Sequence, residues 1–171
     1  MTRDSVLRAA LRGWLAGCVI GLAAAPALAD TQPIEGHENW KLGMTLAEAE
    51  AAEPRAERRD CAGATCLLYA DERFPTTEVD VSARFDAAEM LDVIVVIMKP
   101  QPGGNRCKRI SAQLAAFYTA AHGETMPISA EAWVWTTPEA SLTLLNHCDS
   151  DPQGVINILF EDLGKPGGVA Q

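Results

Sequence analysis

Aromatic side chains make up only 6% of the 171 residues, basic ones number 14 against 23 acidic, and there are three histidines. Each scarcity excludes something. With few aromatic rings, the core must rest on Val, Ile, Leu and Ala. A net charge of −9 argues against nucleic acid as a partner, because phosphate binding requires a basic face. No Gly-x-Ser-x-Gly, His-Glu-x-x-His or phosphate-loop pattern occurs, so no nucleophile elbow, zinc protease site or nucleotide cradle is announced. No cofactor and no metal site is expected. Beyond residue 29 no apolar run is long enough to cross a bilayer as a helix.

The one long apolar run is at the start. Arg3, Arg8 and Arg12 precede a stretch from Gly13 to Ala29 with no charged residue, closing on Ala27-Leu28-Ala29 before Asp30. Small residues three and one before the break suit a leader peptidase, so residues 1–29 read as a secretory signal peptide and the protein as periplasmic or secreted. Leu15-Ala16-Gly17-Cys18 also spells a lipobox. Only five residues separate Arg12 from Cys18, and the apolar run continues past the cysteine, so cleavage after Ala29 is preferred to a lipid anchor at Cys18. Removing the leader takes out Asp4 and three arginines, which moves the net charge from −9 to −11. The remaining chain suffices for one domain burying roughly 70% of its extended-chain surface.

Four cysteines follow the leader: Cys61, Cys66, Cys107 and Cys148. An even number in an exported chain reads as a disulfide framework. Cys61 and Cys66 flank Ala-Gly-Ala-Thr, read as a hairpin loop that sets the two side chains opposite each other. Cys107 and Cys148 then pair by elimination. The rival, a zinc site, lacks Cys-x-x-Cys or suitably spaced histidines.

Asp30 to Asn39 is polar and reads as a loose arm. Glu35, His37 and Glu38 in it can in principle collect a metal, but a solvated arm is the simpler account. Thr45-Leu46-Ala47-Glu48 is a capping box opening a short helix that Pro54 stops. Arg58–Asp60 and Cys66–Tyr69 form the expected hairpin. Glu78–Phe85 alternates as a half-buried strand, and Leu91–Met98, apolar on both faces, belongs at the centre of a sheet. Asn105 is placed as the cap of a second helix with the stripe Cys107, Ile110, Leu114, Phe117, Tyr118 and Ala121, ended by Gly123. Strands follow at Ala132–Thr136, Ser141–Asn146 and Val155–Phe160. The fold class is therefore α+β: a two-layer sandwich, an antiparallel sheet with two helices on one face. Residues 30–163 form one domain whose halves, about 40–99 and 105–163, repeat the helix-plus-strands order, and 164–171 form a flexible tail.

Leu42-Gly43-Met44-Thr45-Leu46-Ala47-Glu48-Ala49 resembles the Gly-Met-Thr-x-x-Glu-Val opening of β-lactamase-inhibitor-protein-like domains, which include small outer-membrane assembly lipoproteins. Ala49 stands where that pattern has Val, and the second half lacks the motif. The resemblance implies a fold of tandem helix-plus-strand units, and inhibition or outer-membrane assembly as activities of such domains.

Three sets of residues are candidates for function. Gly104, Asn105, Arg106, Lys108 and Arg109 gather positive charge at a helix start, against the macrodipole, where a bound anion or acidic partner group would relieve the cost. Trp133 and Trp135 lie two apart on a strand and face the same way, either into the core or toward a partner. His147-Cys148-Asp149 juxtaposes a base and a thiol, but strand neighbours point to opposite faces. His122 sits in the last helical turn, where positive charge is favourable. The reading is an exported, non-enzymatic binding or structural module of the cell envelope with an unidentified protein partner. Its rivals are a secreted inhibitor of another enzyme and a small periplasmic hydrolase or ligand-binding enzyme.

The leader reading is checked by the intact mass of the exported protein, expected to begin at Asp30. A diacylglyceryl species beginning at Cys18 would show an anchored lipoprotein instead.

Overall fold

A computed structural model describes residues 31–71, 78–98, 104–150 and 154–164. The expected leader, its cleavage site and its lipobox lie outside these residues, as does the tail beyond Gly164.

Helix α1 (Leu46–Ala52) starts as its capping box requires. The Thr45 hydroxyl accepts from the Glu48 N–H at 3.3 Å, and the Glu48 carboxylate accepts from the Thr45 N–H at 2.8 Å. The Thr45 backbone N–H, and then its hydroxyl, hold the Glu48 carboxyl below the usual carboxylate range. Leu46 and Ala49 are the buried edge. Strands β3 (Glu57–Cys61), β4 (Ala64–Asp71), β5 (Val79–Phe85) and β6 (Leu91–Met98) follow, each antiparallel to the last. In the second half, helix α2 (Gly104–His122) precedes β7 (Met126–Ser129), β8 (Ala132–Thr136), β9 (Ala140–Asn146) and β10 (Ile156–Asp162). Helix α2 begins one residue before Asn105, so Asn105 sits in its first turn rather than capping it.

The eight strands form one sheet in the order β3-β4-β5-β6-β10-β9-β8-β7. The two runs of four meet at β6 and β10, paired from Met98↔Ile156 to Val93↔Glu161. Cross-strand partners share a face. One face carries Leu67, Val81, Val96, Ile158, Leu144 and Trp135, all buried, and Leu46 and Ala49 of α1 and Cys107 and Tyr118 of α2 join the same core. The opposite face carries the row Leu68–Ser82–Val95–Leu159–Thr143–Val134, read from partner to partner across six strands. A second row runs Asp80–Ile97–Asn157–Leu145–Ala132. Neither helix covers these rows, and Leu68 and Ile97 are exposed.

Two expectations are corrected. The Cys61/Cys66 hairpin turns through two residues, Ala62 and Gly63, at φ 55° and 88°, the left-handed pair of a type I′ turn. Cys61 therefore faces Ala64, and Cys66 faces Arg59. The cysteines are diagonal neighbours on one face rather than opposite each other, at disulfide distance with Cα atoms 5.9 Å apart. The arm is also not loose. Strands β1 (Gly36–His37) and β2 (Trp40–Lys41) make a small hairpin, and Ile34, His37 and Trp40 are buried. The Trp40 indole N–H donates to the Ala49 carbonyl at 3.0 Å, fastening the hairpin to α1. A Cβ at Gly36 would lie 2.3 Å from the Trp40 carbonyl oxygen, so the hairpin needs glycine there.

Both sheet edges resist further pairing. Glu57, Arg58, Arg59 and Asp60 expose charge along β3, and β7 carries Pro127, which has no N–H to offer.

Trp135 is 1% exposed, so it is a core residue and not a surface anchor, whereas Trp133 is half-buried. Trp135→Ala is accordingly expected to cost about 3–5 kcal/mol. Trp133→Ala should cost less than half of that. Denaturant midpoints check the ranking, and equal losses would contradict it.

Candidate functional site

Helix α2 sets one wall of a cleft. Cys107 is fully buried on its inner side, and Ser111, one turn later on the same side, is 1% exposed. Lys108, the residue after Cys107, turns outward. The facing wall comes from β9, whose alternation buries Leu142, Leu144 and then Asn146. Just beyond β9, Cys148 reaches Cys107 at disulfide distance, with Cα atoms 5.6 Å apart. Asp149, the next residue, meets the Lys108 ammonium at 2.7 Å. The pairing of the cysteines thus sets the ion pair beside it.

Below that rim the walls touch through polar groups. The Asn146 amide N–H donates to the Ser111 hydroxyl at 3.1 Å, and the Asn146 carbonyl accepts from the Cys148 N–H at 3.4 Å. Trp133 enters from β8, where it pairs with Leu144 on the helix-bearing face. Glu131, in the β7–β8 turn, has its backbone fixed by Ser129 and Asn146. Lys108, Ser111, Glu131, Trp133, Asn146 and Asp149 line an open cavity of about 600 Å³.

Three of the sequence candidates, Lys108, Trp133 and Asp149, are therefore brought to one place, and the others are not. Gly104, Asn105, Arg106 and Arg109 do not line the cavity. Asn105 and Arg109 are exposed and Arg106 is half-buried and already engaged. The basic group at the helix start is thus split, with its one cavity member held by Asp149. Cys148 lies at disulfide distance from Cys107, which removes it as a nucleophile beside His147. Ser111, Glu131 and Asn146 did not stand out in the sequence. The available signal was a polar residue on an apolar parity: Asn146 after Leu142 and Leu144, and Ser111 one turn after Cys107.

A second cavity, about 400 Å³, lies between the arm and the C-terminal half of α2. Rings line it: Phe117, Tyr118, Phe160, His37 and His122. Tyr118 packs against His122 (6.0 Å, 17°) and Phe160 (6.5 Å, 79°), and burial pushes its hydroxyl up to about 12. The His122 ring nitrogen Nδ1 lies 2.9 Å from the Gln32 carbonyl, and the Gln32 N–H donates to Ala121 at 2.7 Å, tying the arm down. Burial of His37 against Phe160 replaces the expected solvated arm. Among the described residues no group of three or more His, Cys, Asp or Glu is arranged to hold a metal ion. No described helix is long and apolar enough to cross a membrane.

Comparison with protein families, with curated proteins and with solved structures finds no match.

Breaking the two cysteine pairs is expected to have unequal effects. In the chain-entropy view, loss of Cys107–Cys148 costs about 4 kcal/mol and loss of Cys61–Cys66 about 2. Denaturant melts of the paired Cys→Ser variants measure both, and a larger loss from the short loop would refute the ranking.

Proposed function

We propose that this chain is an exported, non-enzymatic binding module of the cell envelope. Its two helix-plus-four-strand halves are read as tandem units of a two-layer sandwich, in keeping with the resemblance carried by Gly43, Met44, Thr45 and Glu48. Paired cysteines and the absence of a described membrane-crossing helix are compatible with work outside the cytoplasm.

The observation that carries the reading is the face of the sheet that neither described helix covers. Val95, Leu159, Leu145 and Val134 form an apolar stripe at its centre, with Leu68 and Ile97 exposed beside them. The strand positions on the same face hold four carboxylates, Glu57, Asp80, Asp92 and Glu161, and two guanidiniums, Arg59 and Arg84. Each arginine faces a carboxylate of the same surface, Arg59 with Glu57 at 2.5 Å and Arg84 with Asp92 at 2.9 Å. An apolar centre with a net acidic rim suits a protein whose own patch is apolar and ringed by Lys or Arg. A second copy of this chain is a poor occupant, because two acidic rims would repel.

The test uses the exported full chain, cross-linked in the periplasm, beside Leu68→Lys and Ile97→Lys variants. Each substitution should change stability by less than about 0.5 kcal/mol. Both should abolish capture of a basic protein that the parent captures and that high salt releases. Capture insensitive to both variants, or sedimentation of the parent as a dimer through this face, would overturn the reading.

A further inference from the structure

We propose that the cleft between α2 and the β7–β9 strands is a binding site for a neutral saccharide. It lies on the helix-bearing side of the sheet, so it is independent of the face assigned to a protein partner.

The wall chemistry selects the ligand. Asn146 and Ser111 are 7% and 1% exposed, and both line the cavity. Asn146 gives one amide hydrogen to Ser111, and beyond that bond the amide carries a second hydrogen and the hydroxyl its own. The wall thus offers buried polar groups that a hydroxylated ligand can match and an apolar one cannot. The Glu131 carboxylate and the Lys108–Asp149 pair add acceptors and a donor around the mouth. Trp133 supplies the apolar surface.

An anion is disfavoured, since Glu131 and Asp149 outnumber the one cation, Lys108, along the walls. An organic cation would call for a cage of several rings, and this cavity holds a single indole. A pyranose fits both halves of the lining. Its C–H face is weakly positive and matches the negative face of an indole. Its hydroxyls each donate and accept, which satisfies amide, hydroxyl, ammonium and carboxylate together. A cavity of about 600 Å³ is in the range of small-molecule sites. Rigidity favours the assignment too. The Cys107–Cys148 link pins the two walls, so little ordering is needed when a ligand arrives.

The experiment titrates the oxidised, exported protein with oligomers of N-acetylglucosamine and of glucose, read by tryptophan fluorescence and calorimetry. Inorganic phosphate and choline serve as the anionic and cationic probes. At least one neutral oligosaccharide should bind with a Kd of about 0.01–1 mM. Trp133→Ala should weaken that binding by about tenfold or more, as loss of an aromatic anchor does. Glu131→Gln, on a half-buried turn residue, should weaken it without lowering the melting temperature, which separates recognition from folding. Ile97→Lys, on the opposite face, should leave it unchanged. Preference for phosphate or choline, no response to any oligosaccharide, or binding that survives Trp133→Ala would each overturn the proposal.

Discussion

The pairing of β6 with β10 is the constraint on which the rest of the molecule rests. Each run of four strands follows one helix in the chain, and this seam joins the two runs into one sheet. Strand β6 is apolar on both faces, with Leu91, Ile94, Val96 and Met98 on one and Val93, Val95 and Ile97 on the other. A strand of that composition is tolerated only where neighbours flank both edges. Burying its first set under the helices leaves the second set on the opposite side. Across the seam Leu159 meets Val95, so the apolar centre of the helix-free face follows from the same pairing that makes the core continuous.

Much of the fold was legible because local chemistry and tertiary packing agree. The capping box at Thr45 and Glu48 closes as the spacing requires, and the alternation of Val79, Val81, Ala83 and Phe85 places all four in the core. Leu91–Met98 lies fourth of eight strands, as its two apolar faces demand. The elements that escaped notice are those whose pairing is fixed from outside. Strands β1 and β2 are two residues each and polar except for Trp40, and their order comes from burial of Ile34 and Trp40 against α1 and the sheet. Strand β7 is exposed at all four residues, so no alternation marks it. At the first hairpin, Ala62 adopts a left-handed conformation for which its side chain has no preference, and this shortened the loop from four residues to two.

The cleft was legible only in fragments. Lys108 and Trp133 stood out singly, one as an unexpected charge at a helix start and the other as an aromatic on a strand. What joins them is the contact between Cys107 and Cys148, which brings together residues 41 positions apart. Spacing alone cannot show that Asp149 would be delivered to Lys108, or Asn146 to Ser111. Polar residues on an apolar parity carry information that a hydrophobic pattern discards, since a buried amide or hydroxyl must find a partner.

The sheet thus divides the protein into two surfaces with opposite mechanical character. On the helix side, the cleft walls are held by cysteines at disulfide distance and by hydrogen bonds, so contacts within the chain fix its shape. On the other side, the stripe is shaped by the twist of the strands alone and offers few fixed polar groups. The edges are closed to added strands by charge on β3 and by Pro127 on β7. With edge pairing blocked and copies of the chain mutually repulsive, the apolar stripe can stay exposed without driving self-assembly. That combination is consistent with the proposal that this face meets a different, basic partner.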